Sequence, residues 1–530
     1  MFPSTRKSSD PRAGPSSSSS SSPVVLFGDT SADATRLRRL TRVPLLSGGR
    51  LVVVETGADG VVLRPPAPPR PIRDVGAAVR EALRFPLAGP PLESLVTRGG
   101  SATVVIEHPL LPIPSASPDP RHEAIEATVD ELERLGVAQV TILVAGGLGR
   151  RLSPREIGLL VPAPFRRRFR GRVIVHDTAA DDLVDLGHAR VPLRVAPALV
   201  ETDLVVCVTA AETALHGGPS AFLRACSYEA QRVGAAPSLL EAGGSPGLEL
   251  ARDLDRLLSA RVPAFGVSLV LNLPHVFGGY PYEDDLLERI ARSRLRRGFS
   301  LLPAPIRATL VDRLPRELSV AAVYGGSVSA AHTEALLRGV EFKGAVLDEP
   351  LDAIVIGIPP TTLTFPRERP NPVSAAYLGL GLALRMWRDG FPVKENGTAI
   401  LLHDLQRRFP RPSQTPYRSL FSDHRGARDP NALRDAEADA LADPHAIAAY
   451  RDGRSVHPLA PFGEWRACLS TADRLGAVVV AGCRDASSAR QLGLVPAHGI
   501  SAALAMAEGR GAERIGFLLS PPYFPLRVGA

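Results

Sequence analysis

The chain has 530 residues, 45% hydrophobic and 22% charged, with a formal net charge of +7. That is too long for one core and too ordinary in composition for a largely disordered protein, so two or three folded domains are expected. No apolar run reaches the ~20 residues of a membrane span, and the modest charge sits in short arginine clusters (Arg36–Arg39, Arg166–Arg168, Arg292–Arg297) without interleaved aromatics, which argues against nucleic acid and membrane partners.

In chain order, residues 1–23 carry a serine run, Ser16–Ser22, and no apolar core. They are expected to be a disordered Ser/Pro-rich tail and not a signal peptide. From Val24 onward, short Val/Ile/Leu runs alternate with helical patterns. The strands expected are Leu51–Glu55, Ala102–Glu107, Val140–Ala145, Val173–His176, Leu204–Thr209, Ala353–Ile358, Thr398–His403, Ala477–Ala481 and Arg514–Leu519. Several are almost free of polar residues, the pattern of strands covered on both faces. Pro118–Leu135 places Ile125, Val129, Leu132 and Leu135 at helical spacing and stops at Gly136. Ser153 and Glu156 have the spacing of a capping box, with Pro154 in the first turn. The pattern predicts an α/β fold: two α/β domains with largely parallel sheets, residues 24–270 and 271–530, and a cleft between them. A boundary is placed in the Pro-interrupted stretch 264–318. Residues 406–457, rich in Arg, Asp and Pro and without strand patterns, read as an irregular or helical insertion.

Cys207, Cys226, Cys468 and Cys483 form no CxxC pair or metal-ligand spacing, so no metal is predicted and a reducing, cytoplasmic setting is expected. The turn Gly146-Gly147-Leu148-Gly149-Arg150-Arg151 follows a strand and opens a helix. It is either a tight strand-to-helix turn or an anion site in which backbone N–H groups join Arg150 and Arg151. Gly243–Gly247 matches GxSxG by letters alone, because Pro246 lacks the N–H that an oxyanion hole needs. His108 and His176 each stand at a strand end, where open α/β sheets place ligands. The only lysines are Lys7, Lys343 and Lys394, so a site built in the first half is expected to work without an amine.

Residues 75–229 resemble the N-terminal domain of the nickel-dependent lactate racemase family. The segments that carry the resemblance are "ALRFPLAGPPLESLV", "VVIEHPLLPIP", "ILVAGGLGRRLSPREIGLLV", "VIVHDTAADDLVDLG" and "ETDLVVCVTAAETALHGGPSAFL". "DAIVIGIPP", "NGTAILL" and "HGISAALAMAEGRGAERIGFLL" are weaker echoes of its C-terminal domain. The resemblance implies a two-domain cleft, a nickel pincer nucleotide attached to a lysine, and inversion of a 2-hydroxy acid by proton-coupled hydride transfer. Carried over residue by residue, the pattern mostly fails, although Arg150 matches the arginine of the family's glycine turn. The family's cofactor lysine falls on Ser220, a histidine falls on Gly149, and the aspartate and arginine of one motif fall on His108 and Leu111. Another histidine falls near Ala210 or Ala211, no histidine lies between His216 and His275, and Ser374 and Tyr377 stand where the family has glutamine and lysine. The expectation is therefore a family member that binds an anionic small molecule, 2-hydroxy-acid-like or nucleotide-like, without the cofactor. Its candidate contacts are His108, Arg150, Arg151, His176 and His216. The sequence leaves catalysis open: a racemase or epimerase with rearranged site residues and a non-catalytic regulatory or scaffold protein, acting through an unidentified protein partner, are the alternatives.

Overall fold

The computed structural model describes residues 42–529 apart from 58, 114–118, 234–235, 277–278, 294–297, 300, 304–305, 308–309, 311–315, 363–367 and 425–427. The expected tail, residues 1–23, lies outside the described residues. All nine expected strands are present, eight with both ends within two residues; the ninth, expected at Thr398–His403, spans Val393–Leu402 and starts five residues earlier.

The described residues open with a hairpin, β1 (Arg42–Ser47) and β2 (Arg50–Glu55), followed by β3 (Val61–Leu63) and α1 (Val75–Arg84). Next come β4 (Ser101–Ile106), α2 (Pro120–Arg134), β5 (Gln139–Val144), α3 (Pro154–Leu160) and β6 (Arg172–Val175). They are followed by β7 (Leu204–Ala210), α4 (Pro246–Ser259), β8 (Ala264–Leu271), β9 (Val320–Gly326) and α5 (Val328–Lys343). The remaining sheet strands are β10 (Leu351–Gly357), β11 (Val393–Leu402), β12 (Ala477–Ala481), β13 (Val495–Ala497) and β14 (Ile515–Leu518).

Helix starts follow local chemistry. Asp74, Asp119, Ser153 and Ser245 each accept a backbone N–H of the first turn at the head of α1, α2, α3 and α4. At α3 the capping box is complete. Ser245, the serine of the GxSxG letters, is spent as a buried cap.

The first sheet has the order β9-β8-β7-β4-β5-β6, parallel except for β9, which runs antiparallel to β8. Its strands lack polar residues because both faces are covered. Val104, Ile106, Ile142, Val144, Val206 and Val208 pack under α1 and α2. Val105, Leu143, Val205 and Cys207 face Leu250, Leu254 and Leu258 of α4. Alternation of period two sends neighbours to opposite layers.

The second sheet, β13-β12-β11-β10-β14-β3, is parallel throughout. Sheet membership does not divide the chain at one point. β3 precedes the first sheet in sequence yet pairs with β14, and β8 and β9 fall on either side of residue 271 yet pair with each other. The stretch 406–457 is helical among its described residues, with helices Thr415–Ser422, Pro430–Ala442 and Pro444–Arg451. No helix among the described residues is long and apolar enough to cross a membrane.

The antiparallel β9 has a consequence for α5. Because β9 ends opposite Gly266, near the start of β8, the following helix must return alongside β8 toward its carboxyl end. Sixteen residues of helix span roughly 24 Å at 1.5 Å per residue, about the length of β8. Lys343, the last residue of α5, is thereby delivered to the carboxyl edge of the first sheet.

Candidate functional site

In the first sheet the chain lays down β4, β5 and β6 outward in one direction, then returns to add β7 and β8 on the other side of β4. The gap outside the carboxyl ends of β4 and β7 is a topological switch point, where the two following loops diverge and leave a crevice. A cavity of about 50 Å³ opens there. At 10–15 Å³ per water this holds roughly four waters, the size of a short carboxylic acid.

Its walls come from several elements. Pro109, Leu111 and Ile113 follow β4, Ala211 and Glu212 follow β7, and Leu271, Asn272 and Leu273 close β8. Arg121 enters from the first turn of α2, and Leu336, Gly339, Val340 and Lys343 from α5. Met386, Tyr523 and Pro525 close the side toward the second sheet. The wall is mainly apolar, with a few polar groups fixed in place, the usual make-up of a small-molecule site.

Glu212 is the centre of the polar part. Its carboxylate accepts the Leu110 N–H at 3.0 Å, lies 3.7 Å from the Arg121 guanidinium, and stands 3.5 Å from His216 Nδ1. Arg121 is itself held by two bonds to Asp119, Nε to Oδ1 at 3.0 Å and Nη2 to Oδ2 at 2.7 Å. Lys343 differs from these. Burial brings its amine down to about 8, with Glu212 pulling it back up, and it has no hydrogen bond or ion pair to any described residue. The phenol oxygen of Tyr523 and the amide oxygen of Asn272 are also buried without hydrogen-bond partners. The cavity wall thus includes an amine, which arrives on α5 from beyond the half of the chain that supplies the other charged groups.

A second charged cluster adjoins the cavity at the end of β4. Glu107 accepts the Gly217 N–H at 2.7 Å and pairs with Arg224 Nε at 3.1 Å. Burial pushes its carboxyl up to about 7, against the opposing pull of Arg224 and Gly217. Arg224 also donates to Gly146 O at 2.9 Å, which ties the glycine turn to this pair.

None of the five candidate contacts lines the cavity. His108 is next to it: its carbonyl takes the His216 Nε2 contact at 2.9 Å, and its own Nδ1 is buried without a partner. Burial, with Arg224, Arg121 and Arg150 nearby, holds the His108 imidazole down at about 3, and His216 is likewise well below its ordinary value through burial. Both are neutral near pH 7, and His108 is too weak a base there for proton abstraction. His176 lies elsewhere, its Nε2 2.9 Å from Cys226 O. Arg150 is bound to Glu156 and to Arg151 O, and Arg151 to the carbonyls of Arg451 (2.7 Å) and Val175 (3.2 Å). The glycine turn is covered by the helical stretch: His457 N donates to Leu148 O at 3.1 Å, and the Tyr450 hydroxyl, bonded to Thr178, approaches Gly147 O at 3.5 Å. The structure thus brings His108 and His216 together and places His176, Arg150 and Arg151 in hydrogen bonds outside the cavity wall. Glu107, Arg121, Glu212, Arg224 and Lys343 were not singled out in the sequence. A signal existed for Lys343, a lone lysine in a nearly lysine-free chain, and for Glu107, which precedes His108 at a strand end.

The glycine pair after β7 has its own geometry. Gly217 and Gly218 have φ of +94° and +53°, and a Cβ on them would come 2.9 Å and 2.3 Å from His332 of α5. Only glycine fits beneath that imidazole. Ser220, two residues on, is buried and donates to Ala214 O at 3.1 Å.

Residues 52–224 match the lactate racemase N-terminal domain. Among solved structures, the chain is similar to the lactate racemase apoprotein from Thermoanaerobacterium thermosaccharolyticum, at 14% identity and TM-score 0.55, covering 92% of this chain and 97% of that one. A structural-genomics target from Thermotoga maritima aligns at 12% identity and TM-score 0.49, covering 87% of this chain and 100% of that one. No curated protein matches the chain.

Proposed function

We propose that this chain, whose residues 52–224 match the lactate racemase N-terminal domain, binds a small carboxylic acid in the switch-point cavity and does so without a nickel pincer nucleotide. The observation that carries the reading is the cavity itself: a mainly apolar space of about 50 Å³ with Lys343, Arg121 and Glu212 in its wall. A carboxylate placed there meets the Lys343 ammonium, which makes no hydrogen bond or ion pair to a described residue and feels the charge of Glu212. The apolar wall holds the short carbon chain, while Glu212 and Asn272 are within the same wall to orient a hydroxyl or carbonyl.

The residues present do not fit the family's cofactor. The position of its lysine is Ser220, whose hydroxyl is spent on Ala214 O and cannot form a thioamide. The glycine pair, open to a ligand only if something stands clear of it, is packed against His332. Among the described residues no group of three His, Cys, Asp or Glu side chains is arranged to hold a metal. The cavity is also far too small for a nucleotide.

Lactate and pyruvate at millimolar concentration are expected to raise the melting temperature, as selective binding to the folded state must. Acetamide, uncharged and of similar size, is expected not to. An equal response to acetamide, or none to either acid, overturns the reading, as does stoichiometric nickel with a pincer nucleotide in the purified protein.

A further inference from the structure

Acid binding asks for a positive charge in the cavity, but not for an amine in particular. An arginine would hold a carboxylate in two bonds at a fixed geometry, whereas a lysine offers a point charge and, when deprotonated, a nucleophile. Lys343 sits at the carboxyl end of α5, among Leu336, Gly339 and Val340, in a wall shared with Leu111, Leu240 and Leu271. Such surroundings favour the neutral amine, in the way that desolvated lysines become nucleophiles. Gly339 keeps the space beside it open: a Cβ there would stand 3.7 Å from Lys343 Cε and 3.8 Å from Nζ. The carboxylate that acts on the amine is Glu212, which the Leu110 N–H and Arg121 hold in place from the far side.

Resting on the acid-binding reading above, we infer that Lys343 is a nucleophilic amine that condenses with the carbonyl carbon of a small 2-oxo acid or aldehyde acid held in the cavity. The lone pair of Nζ adds to the carbonyl carbon, and the oxygen takes a proton to give a carbinolamine. Loss of the remaining N–H proton and expulsion of the hydroxyl as water then leave a C=N bond. One amine and one carbonyl are consumed, one imine and one water are formed, and no oxidant or reductant enters. Glu212 is the side chain placed to relay the protons. Arg121 remains bound to Asp119 and positions Glu212.

The scarcity of lysine makes the test clean. Besides Lys343 the chain has only Lys394, which is paired with Asp352 at 2.7 Å, and Lys7. The full-length protein is incubated with pyruvate, reduced with sodium borohydride and read by intact mass and peptide mapping. The expected result is one reduced pyruvate per chain on Lys343, suppressed by excess lactate and reduced to background in K343R. Lys343 belongs to the acid site, so the melting shift with lactate is expected to weaken in K343R, and competition by lactate is read on the unaltered chain. If K343R does not fold, K343M, which lacks both amine and charge, is read for loss of the adduct alone. No adduct, or an adduct confined to Lys394, Lys7 or the α-amine, overturns the inference. If lactate still shifts the melting temperature in that case, only the imine is lost; if it does not, the acid-binding reading fails as well.

Discussion

The two six-stranded sheets have the same construction at their centres and different surroundings. Each has a switch point: between β4 and β7 in the first, and between β10 and β14 in the second. Outside the first lies a cavity with Arg121, Glu212 and Lys343 in its wall. Outside the second lies β1. Leu46 N donates to Ser520 Oγ at 3.0 Å just beyond β14, and Gly48 N donates to Ile358 O at 2.8 Å just beyond β10. Gly357, the last residue of β10, approaches the hairpin so closely that a Cβ would stand 2.6 Å from Leu46 O. The sheet topology offers a crevice at both places, and the local chain decides which one stays open.

The sharpest way to break this contrast is to disturb the contact that delivers α5 to the first crevice. G218A is expected to destabilise the protein by about 3–4 kcal/mol, because the new Cβ would overlap His332 at 2.3 Å and overpacking is costly. Urea unfolding measures the loss. The double variant G218A/H332A is expected to recover part of it, a coupling of roughly 1–2 kcal/mol. Strictly additive losses would mean that the glycine pair and α5 do not support each other. At the second crevice G357A is expected to cost about 2–3 kcal/mol while leaving the lactate melting shift intact, since nothing there touches the acid.

Two titrations then separate the carboxyl edge of the first sheet into its parts. The Lys343 amine is brought from its ordinary 10.5 down to about 8 in the fold. A lowered amine favours folding with the neutral form, so its contribution is present above 10.5 and lost as pH falls through 8. The difference is on the order of 3 kcal/mol at 1.36 kcal/mol per unit. K343M is expected to lack that loss and to be the more stable protein at pH 7, with weaker lactate binding. Glu107 behaves in the opposite sense. Its carboxyl rises from 4.5 to about 7, so stability is fully present below 4.5 and is lost as pH rises through 7, again by about 3 kcal/mol. In E107Q that slope between pH 4.5 and 7 should flatten, whatever the variant's absolute stability. An unchanged slope in melting temperature would remove Glu107 from the account.

Much of the fold was legible because strands buried on both faces cannot carry polar residues. Leu204–Ala210 and Ala477–Ala481 announce themselves in this way. The pair β8 and β9 is not legible: β9 reads VAAVYGG, small and weakly patterned, and β8 lies at the edge of the Pro-interrupted stretch in which the sequence places a domain boundary. Missing that pair meant missing the return of α5, and with it the route by which Lys343 reaches Glu212. Histidines and a glycine-arginine turn were visible as residue types, but type alone does not say which partners a side chain already has. The resemblance to lactate racemases puts Ser220 at the family's lysine position and gives no sign that an amine enters from α5.

The smallest expected effect tests that last point. Arg150 lies in the glycine turn that the sequence offers as an anion site, yet in the fold it pairs with Glu156, the carboxylate that closes the cap of α3. Both side chains keep about a fifth of their surface in solvent, at 19% and 22%, so the pair is worth about 0.5–1 kcal/mol. R150A should therefore lower stability by that amount and leave the lactate melting shift where it was. The Ser153–Glu156 bonds at 2.8 and 2.6 Å remain to hold the helix start. A collapse of acid binding in R150A, with stability nearly unchanged, would return the ligand to the glycine turn and take it away from Lys343.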